Sequence, residues 1–294
     1  MMRIGLFLLT NLAVLLVASV TLSLLGVGSY LNEAGTGLNL QSLLIFCAVF
    51  GFGGAFVSLF LSKLMAKMGT RAKIISGSEG QRERWLVERV ATLADKAGIG
   101  MPEVAIFPMR QPNAFATGWN RNKALVAISR GMLETFPDHE IEAVMAHEIG
   151  HVANGDMITL TLIQGVVNTF VMFLARVIGF VVDRVLLKNE RGLGIGFFIT
   201  TFVAEIILAI LASVIVMWFS RKREYRADAA GATLASRESM IGALERLRRL
   251  TNPEEQLPES MVAFGITGEG KLSMLFRSHP PLEDRIERLR SGDY

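Results

Sequence analysis

Four long apolar stretches divide this chain: Ile4 to Val27, Leu40 to Leu61, Ile158 to Val182 and Leu193 to Ser220. Each is long enough to cross a hydrocarbon core about 30 Å thick. Arg3 stands before the first run, as in a cleaved signal peptide. The run is longer than an ordinary signal h-region of about 7–15 residues, so a retained anchor is expected. The second run contains Gly51, Gly53, Gly54 and Ala55, small residues that let another helix approach closely. Between these two runs, Ser29 to Asn39 carries Glu33 and neither Lys nor Arg, whereas Lys63, Lys67, Arg71 and Lys73 follow the second. Positive charge marks the cytoplasmic side, so the N-terminus and the chain beyond Leu61 are both expected to begin there.

The later two runs carry one charge each, Arg176 and Glu205. In an antiparallel hairpin turning near Asn189 to Arg191 these two charges fall at similar depth, and a charge in lipid ordinarily has a partner. An ion pair between them is therefore expected. The turn also holds Arg184, Lys188 and Arg191, which suits an extracytoplasmic loop poorly. A full span is favoured over a hairpin that dips partway in or packs within the protein.

Between the runs the pattern turns mixed. Glu79 to Ala97 reads as a helix with Trp85, Val90, Leu93 and Ala94 on one side and Gly98 as its stop. Glu103 to Phe107 reads as a strand. Asn113 to Trp119 and Ala124 to Ser129 flank the turn-prone Asn120-Arg121-Asn122-Lys123 and predict a hairpin. Phe136 to Asn154 predicts an amphipathic helix, with Asp138 as N-cap, Ile141, Val144, Met145 and Val152 as the apolar stripe, and Asn154-Gly155 as the stop. Ala229 to Leu250 is helical by pattern, Thr251 to Lys271 is loop-like, and Leu282 to Arg290 is a short closing helix. The expected organisation is membrane helices in 1–62, the first part of a catalytic domain in 63–157, a hydrophobic hairpin in 158–220 and the rest of that domain in 221–294.

Composition agrees with membrane insertion. Hydrophobic residues make up 51% and charged residues 19% of 294, and the mean hydropathy is +0.42. Soluble domains carry about 25% charged residues. The net charge of +3 is small and the basic residues cluster beside apolar runs, so nucleic acid is not an expected partner and the bilayer is. The single cysteine, Cys47, excludes an internal disulfide.

The chemistry lies in His147-Glu148-Ile149-Gly150-His151, which reads H-E-x-x-H. Positions i and i+4 of a helix share one face, so both imidazoles can close on one metal ion, with Glu148 beside them as general base. The bland alternative is a helix with two surface histidines by coincidence. Two of the chain's four histidines sit at this spacing. Catalytic zinc ordinarily has three protein ligands and an open position. Candidates for the third are an acid on another helix, His139 and His279. The apolar hairpin begins just after His151 and ends just before Glu224, so it returns the chain to the side it left and brings Glu224 back toward the histidines. Asp228, one turn on, is placed to accept the free N–H of a ligand histidine. Taken alone, Glu224 reads as a solvated acid among Arg223 and Arg226.

H-E-x-x-H followed downstream by E-x-x-x-D resembles the M48 metallopeptidases. The resemblance covers essentially the whole chain, including Asn113-Ala114-Phe115-Ala116-Thr117-Gly118, Ser278-His279-Pro280-Pro281 and Arg285-Ile286. It implies a membrane protein, mainly α with a small β-sheet, whose zincin-like metallopeptidase domain sits on about four transmembrane helices. It implies one Zn²⁺ held by His147, His151 and Glu224, with Glu148 catalytic. It also implies endoproteolysis of misfolded or damaged membrane proteins at the bacterial inner membrane, as stress-response quality control, with the catalytic domain facing the cytoplasm.

Two further roles stay open at this level. His279 either steadies the transition state or is a capping or packing residue. The strand holding Asn113, Ala114, Phe115 and Ala116 either receives substrate as an added strand or is ordinary hairpin. Three rival functions are set against the main one. A protease cutting inside lipid would place its motif in an apolar span, whereas Asp138, His139, Glu140 and Glu142 surround this one. A prenyl-protein-processing peptidase implies a larger membrane chamber than this chain can build. A scaffold with structural zinc usually needs four ligands, often cysteines.

Overall fold

The computed structural model describes residues 38–190, 192–250 and 278–293. The first apolar run, the Thr251 to Lys271 segment and Arg191 lie outside the described residues. In chain order the elements are α1 (Leu40–Thr70), β1 (Lys73–Ile75), α2 (Gln81–Ala97), β2 (Glu103–Phe107), β3 (Ala114–Thr117), β4 (Leu125–Ser129), α3 (Arg130–Thr135), α4 (Asp138–Asn154), α5 (Asp156–Val181), a π-helical turn (Val182–Leu186), α6 (Ile195–Leu234), α7 (Arg237–Leu250) and α8 (Leu282–Ser291). By packing, the chain divides into two compact units. One holds the described residues up to Phe56 with Thr161–Ala212, the other Val57–Leu160 with the described residues from Ser213 on.

Three described helices are long and apolar enough to cross a membrane: α1, α5 with its π-helical extension, and α6. In the first unit, the hydroxyl and backbone of Thr169 lie where a Cβ at Gly51 would have to go, so Gly51 lets α1 and α5 meet closely, whereas a Cβ at Gly53 or Gly54 would meet nothing among the described residues. Arg176 Nη1 meets Glu205 Oε1 at 2.9 Å, so the two lone charges of the hairpin pair with each other. The turn is built around Asp183, almost wholly buried, which accepts hydrogen bonds from the Asn189 side chain (2.8 Å) and the Gly194 N–H (3.0 Å).

The second unit is built on a four-stranded mixed sheet in the order β1-β2-β4-β3. The central pair β2 and β4 runs parallel and both outer pairings are antiparallel. Alternate residues face opposite ways. Val104, Ile106, Val126 and Ile128 join the main core with Leu86, Val90 and Leu93 of α2 and Ile141, Met145 and Ile149 of α4. Ala105, Phe107, Leu125 and Ala127 form a second layer on the other face, with Phe115 against it. Coverage on both faces explains why β2 and β4 read as continuous apolar runs rather than alternating ones. Each fully buried large side chain contributes about 1.5–3 kcal/mol. Lys63 and Lys67, on the last turns of α1, hold Glu103 at 2.8 and 2.7 Å and so tie that helix to the start of β2.

Three boundaries differ from the sequence expectation. The motif helix starts at Asp138, not Phe136, and its first turn is closed by the Pro137 carbonyl rather than by the Asp138 side chain, which pairs with Arg82 instead. Phe136 belongs to the end of α3, a helix capped by the Ser129 hydroxyl accepting from Met132 N–H at 3.1 Å. No helix begins at Ala229: α6 runs unbroken from Ile195 to Leu234, and α7 restarts after Ser236, whose hydroxyl caps it. Forty residues of α-helix are about 60 Å long, twice the hydrocarbon thickness. The surplus beyond Ser220 is what carries Glu224 and Asp228.

Candidate metal centre

The site is made by two helices forced close together. A Cβ at Gly150 would lie 2.5 Å from Ala230 Cβ and 3.5 Å from Ala227 Cα, so only glycine lets α4 meet α6 at this separation. Gly231 makes the reciprocal approach to the Ala143 carbonyl. That contact sets Glu224 opposite the two histidines. His147, Glu224 and Asp228 are buried, and His151 is nearly so.

His147 Nε2 stands 3.6 Å from Glu224 Oε2, and His151 Nε2 stands 3.3 Å from Glu224 Oε1. The two rings meet edge-on with centroids 4.8 Å apart. One donor atom from each of His147, His151 and Glu224 lies within 4.8 Å of the others. Ligands about 2.0–2.1 Å from a tetrahedral centre stand roughly 3.3–3.4 Å from each other. The three side chains therefore have the donor types and spacing of a three-ligand metal centre. His139 is exposed in the first turn of α4, two turns from His147, and is not part of the cluster.

Each histidine has an acid behind it. Asp228 Oδ1 lies 3.0 Å from His147 Nδ1, close but off the direction of a linear hydrogen bond. Asp228 is itself gripped by Arg285, through Nε at 2.7 Å and Nη2 at 2.6 Å. Asp156 Oδ2 takes His151 Nδ1 at 2.8 Å. Sequence reasoning did not find Asp156. It begins α5 immediately after Gly155, whose φ of 68° lies in the left-handed region that glycine tolerates, and that reversal turns the new helix back toward His151. An Asn-Gly-Asp after the second histidine was the available signal. His279 Nδ1 lies 2.7 Å from Glu224 Oε2 with its ring 56% exposed, so it reaches the cluster from solvent instead of packing or capping elsewhere.

The electrostatics are those of a cavity made for a cation. Burial disfavours charge on His151, but hydrogen bonds to Asp156 and Glu224 outweigh it and lift its pKa to about 10. Burial likewise opposes charge on His147, and its contacts with Asp228 and Glu224 overcome it and raise its pKa. Burial would raise Glu224; the His279 charge and hydrogen bond, with the close contacts of His147 and His151, hold it well below the ordinary carboxylate range. Burial would raise Asp228 too, and Arg285 holds it down. With both imidazoles neutral, as metal ligation requires, Glu224, Asp228 and Asp156 set against Arg285 leave two buried negative charges, the balance a divalent ion meets in place of the two imidazole protons. Glu148, half-buried, adds its field at His151 and Arg285.

Beside α4 runs β3, an edge strand. Ala114 and Ala116 face the main core and Phe115 faces the other layer, its ring 5.4 Å from Phe107. Asn113 is pinned just before β3, its N–H to the Ser129 hydroxyl at 2.9 Å and its carbonyl to Ser129 N–H at 2.8 Å.

Residues 80–292 match the sequence profile of peptidase family M48. Protease HtpX of Pseudomonas putida strain GB-1 is 62% identical over 292 residues, 99% of each chain. Protease HtpX of Stutzerimonas stutzeri strain A1501 is 63% identical over 292 residues, again 99% of each. That of Hahella chejuensis strain KCTC 2396 is 62% identical over 294 residues, 99% of this chain and 100% of the other. Among solved structures, the crystal structure of S. mikatae Ste24p aligns with a TM-score of 0.63 at 18% identity, covering 98% of this chain and 67% of that one, a likeness of fold.

Proposed function

The chain belongs to peptidase family M48, a metallopeptidase family, and from that premise we propose that it is a zinc-dependent endopeptidase of the bacterial cytoplasmic membrane, acting on misfolded or damaged membrane proteins from the cytoplasmic side. That it is a membrane protease follows from the family and its apolar helices. The observation that carries the finer reading is the convergence of His147, His151 and Glu224 on one point. Two nitrogen donors and one carboxylate, with no cysteine, suit zinc and leave a position open.

Bound zinc supplies Lewis-acid polarisation and lowers the pKa of water toward about 7. The rest falls to side chains. Glu148 takes the proton of the attacking water and passes it to the leaving amine. Asp156 holds His151 Nδ1 by a hydrogen bond, which points its Nε2 inward and fixes its tautomer, while the Asp228 carboxylate lies 3.0 Å from His147 Nδ1 and favours the proton on that nitrogen by charge. Arg285 keeps Asp228 charged and oriented. His279, exposed on its outer side, is within reach of charge developing on a substrate carbonyl. The outer edge of β3, from Asn113 through Ala116, pairs with no other strand among the described residues and offers backbone pairing to an extended substrate. Such pairing reads shape more than sequence, which suits quality control.

Glu148→Gln should keep zinc at one equivalent and lose casein cleavage in detergent-purified protein; full activity removes the general base from this scheme. Glu224→Ala should lose zinc, and wild-type affinity in that variant moves the third ligand elsewhere.

A further inference from the structure

The β3–β4 turn, residues 118–124, carries chemistry that peptide hydrolysis does not use. Trp119 is 47% exposed, and its ring meets Phe60 edge-on at 5.5 Å. Phe60, itself 55% exposed, stands at the end of the apolar stretch of α1. Lys63, three residues on, donates to the Lys123 carbonyl at 3.1 Å. The turn is thus fastened to the end of a helix long and apolar enough to cross a membrane.

It is also rigid. Asn120 accepts from Asn122 N–H through its side chain (2.8 Å) and from Lys123 N–H through its carbonyl (3.0 Å). Asn122 Oδ1 accepts from Gly100 N–H at 2.9 Å. Gly118 sits at φ 132°, which no other residue adopts without strain. From this frame Arg121 and Lys123 project into solvent, with no ion-pair partner among the described residues. Met101 beside the turn and Leu64, Met65 and Met68 along α1 are exposed as well.

We propose that the β3–β4 turn, through Trp119, Arg121 and Lys123, docks into the anionic headgroup layer of the bilayer that α1 crosses. An aromatic ring with cations at the end of an apolar span is the chemistry of the membrane–water interface, and long basic side chains reach phosphates from there. The same pairing recurs where the apolar stretch of α6 ends: Lys222 Nζ lies 4.2 Å from the Trp218 ring, which is 45% exposed. Continuity with a lipid-crossing helix favours a lipid surface over a soluble protein as the occupant. Cationic side chains near an anionic leaflet contribute about fivefold each in surface affinity. Docking would hold β3, in the same hairpin, at the membrane surface; that consequence rests on reading β3 as the substrate edge, whereas the docking does not.

The test uses the full chain reconstituted in vesicles, with Trp119 the only tryptophan (Trp85→Phe/Trp218→Phe). Lipids brominated high in their acyl chains should quench Trp119 strongly when a third of the lipid is phosphatidylglycerol, while aqueous iodide quenches it weakly. Arg121→Glu/Lys123→Glu should lose most of the lipid quenching, as should all-phosphatidylcholine vesicles. A variant keeping only Trp85 should not respond to brominated lipid. Iodide quenching of Trp119 with none from lipid overturns the docking. Equal lipid quenching in both vesicle types, unaltered by the charge reversal, overturns headgroup recognition. Neither result touches the peptidase reading, which needs no fluorescence from the turn.

Discussion

Asp156 is where the reading of the site is most exposed to refutation. Its carboxylate is 1% exposed and takes His151 Nδ1 at 2.8 Å. Removing it by Asp156→Ala frees the imidazole to rotate and to shift its proton from Nδ1 to Nε2, which blocks the ligand position. Acids behind metal-ligand histidines are worth about 10–100-fold in metal affinity, or roughly 1.4–2.7 kcal/mol at 1.36 kcal/mol per decade. The upper end applies here, since water does not screen the contact. Asp156→Asn should fall at the lower end. Its carbonyl still accepts from Nδ1, and only the charge is lost. Among the described residues the other oxygen, Oδ1, makes no hydrogen bond and meets Arg226 at 3.5 Å, so an amide NH₂ placed there gives up little. Zinc affinity is read by competition with a chromogenic chelator on detergent-purified protein. Circular dichroism melts of the metal-free variants separate misfolding from loss of ligand geometry. A folded Asp156→Ala protein that binds zinc within twofold of wild type would refute the role given to this carboxylate.

Three further outcomes follow from the same contacts. Gly150→Ala puts a Cβ 2.5 Å from Ala230 and should cost about 1–3 kcal/mol as overpacking, seen as a lower melting temperature together with weaker zinc binding; an unchanged melt would show that α4 and α6 separate freely. Glu205→Arg should destabilise the protein in bilayers more than Arg176→Glu/Glu205→Arg, because only the single variant leaves like charges at membrane depth; equal loss would remove the pairing. His151, raised from 6.5 to about 10 in the metal-free protein, gives stability that is full below about pH 6.5 and fades as pH rises through 10. Zinc must displace that proton, so its affinity should climb over the same interval; metal-free melts flat from pH 6.5 to 10 would contradict the shift.

Sequence patterning reached the parts of this fold that depend on long-period signals. Spans of more than 20 apolar residues, the helix ending at Gly98 and the hairpin around Asn120 to Lys123 are local enough, or long enough, to declare themselves. It misplaced what depends on tertiary context. β1 has three residues, too few for a period, and exists because Lys73 to Ile75 lie against Val104 to Ile106. The helix read from Ala229 to Leu250 instead belongs to two, α6 and α7, because nothing in Arg221 to Asp228 stops a helix: charge ends a membrane stretch but not helical geometry. Asp138 looked like a cap by position, yet the proline before it already supplies the carbonyl that starts the helix.

The site shows the same division. His147, Glu148 and His151 were visible because a helix fixes i and i+4 on one face. Glu224 became a candidate only through topology, since a hairpin that leaves after His151 must return, and spacing alone cannot say how near. What sets the distance is Gly150: a side chain there would push α4 and α6 apart and carry Glu224 away from both imidazoles. Asp156 escapes the pattern because it falls between the Asn154-Gly155 stop and the apolar run that begins at Ile158. A glycine that ends one helix in the left-handed region also aims the first residue of the next, and an acid there falls back on the histidine one turn before the stop. His-x₄-Asp with glycine just before the acid is therefore a geometric statement. It predicts that Gly155→Val, which disfavours φ near 68°, should weaken zinc binding through Asp156 even though residue 155 touches no ligand. Wild-type affinity in a folded Gly155→Val protein would mean that the turn does not aim the carboxylate.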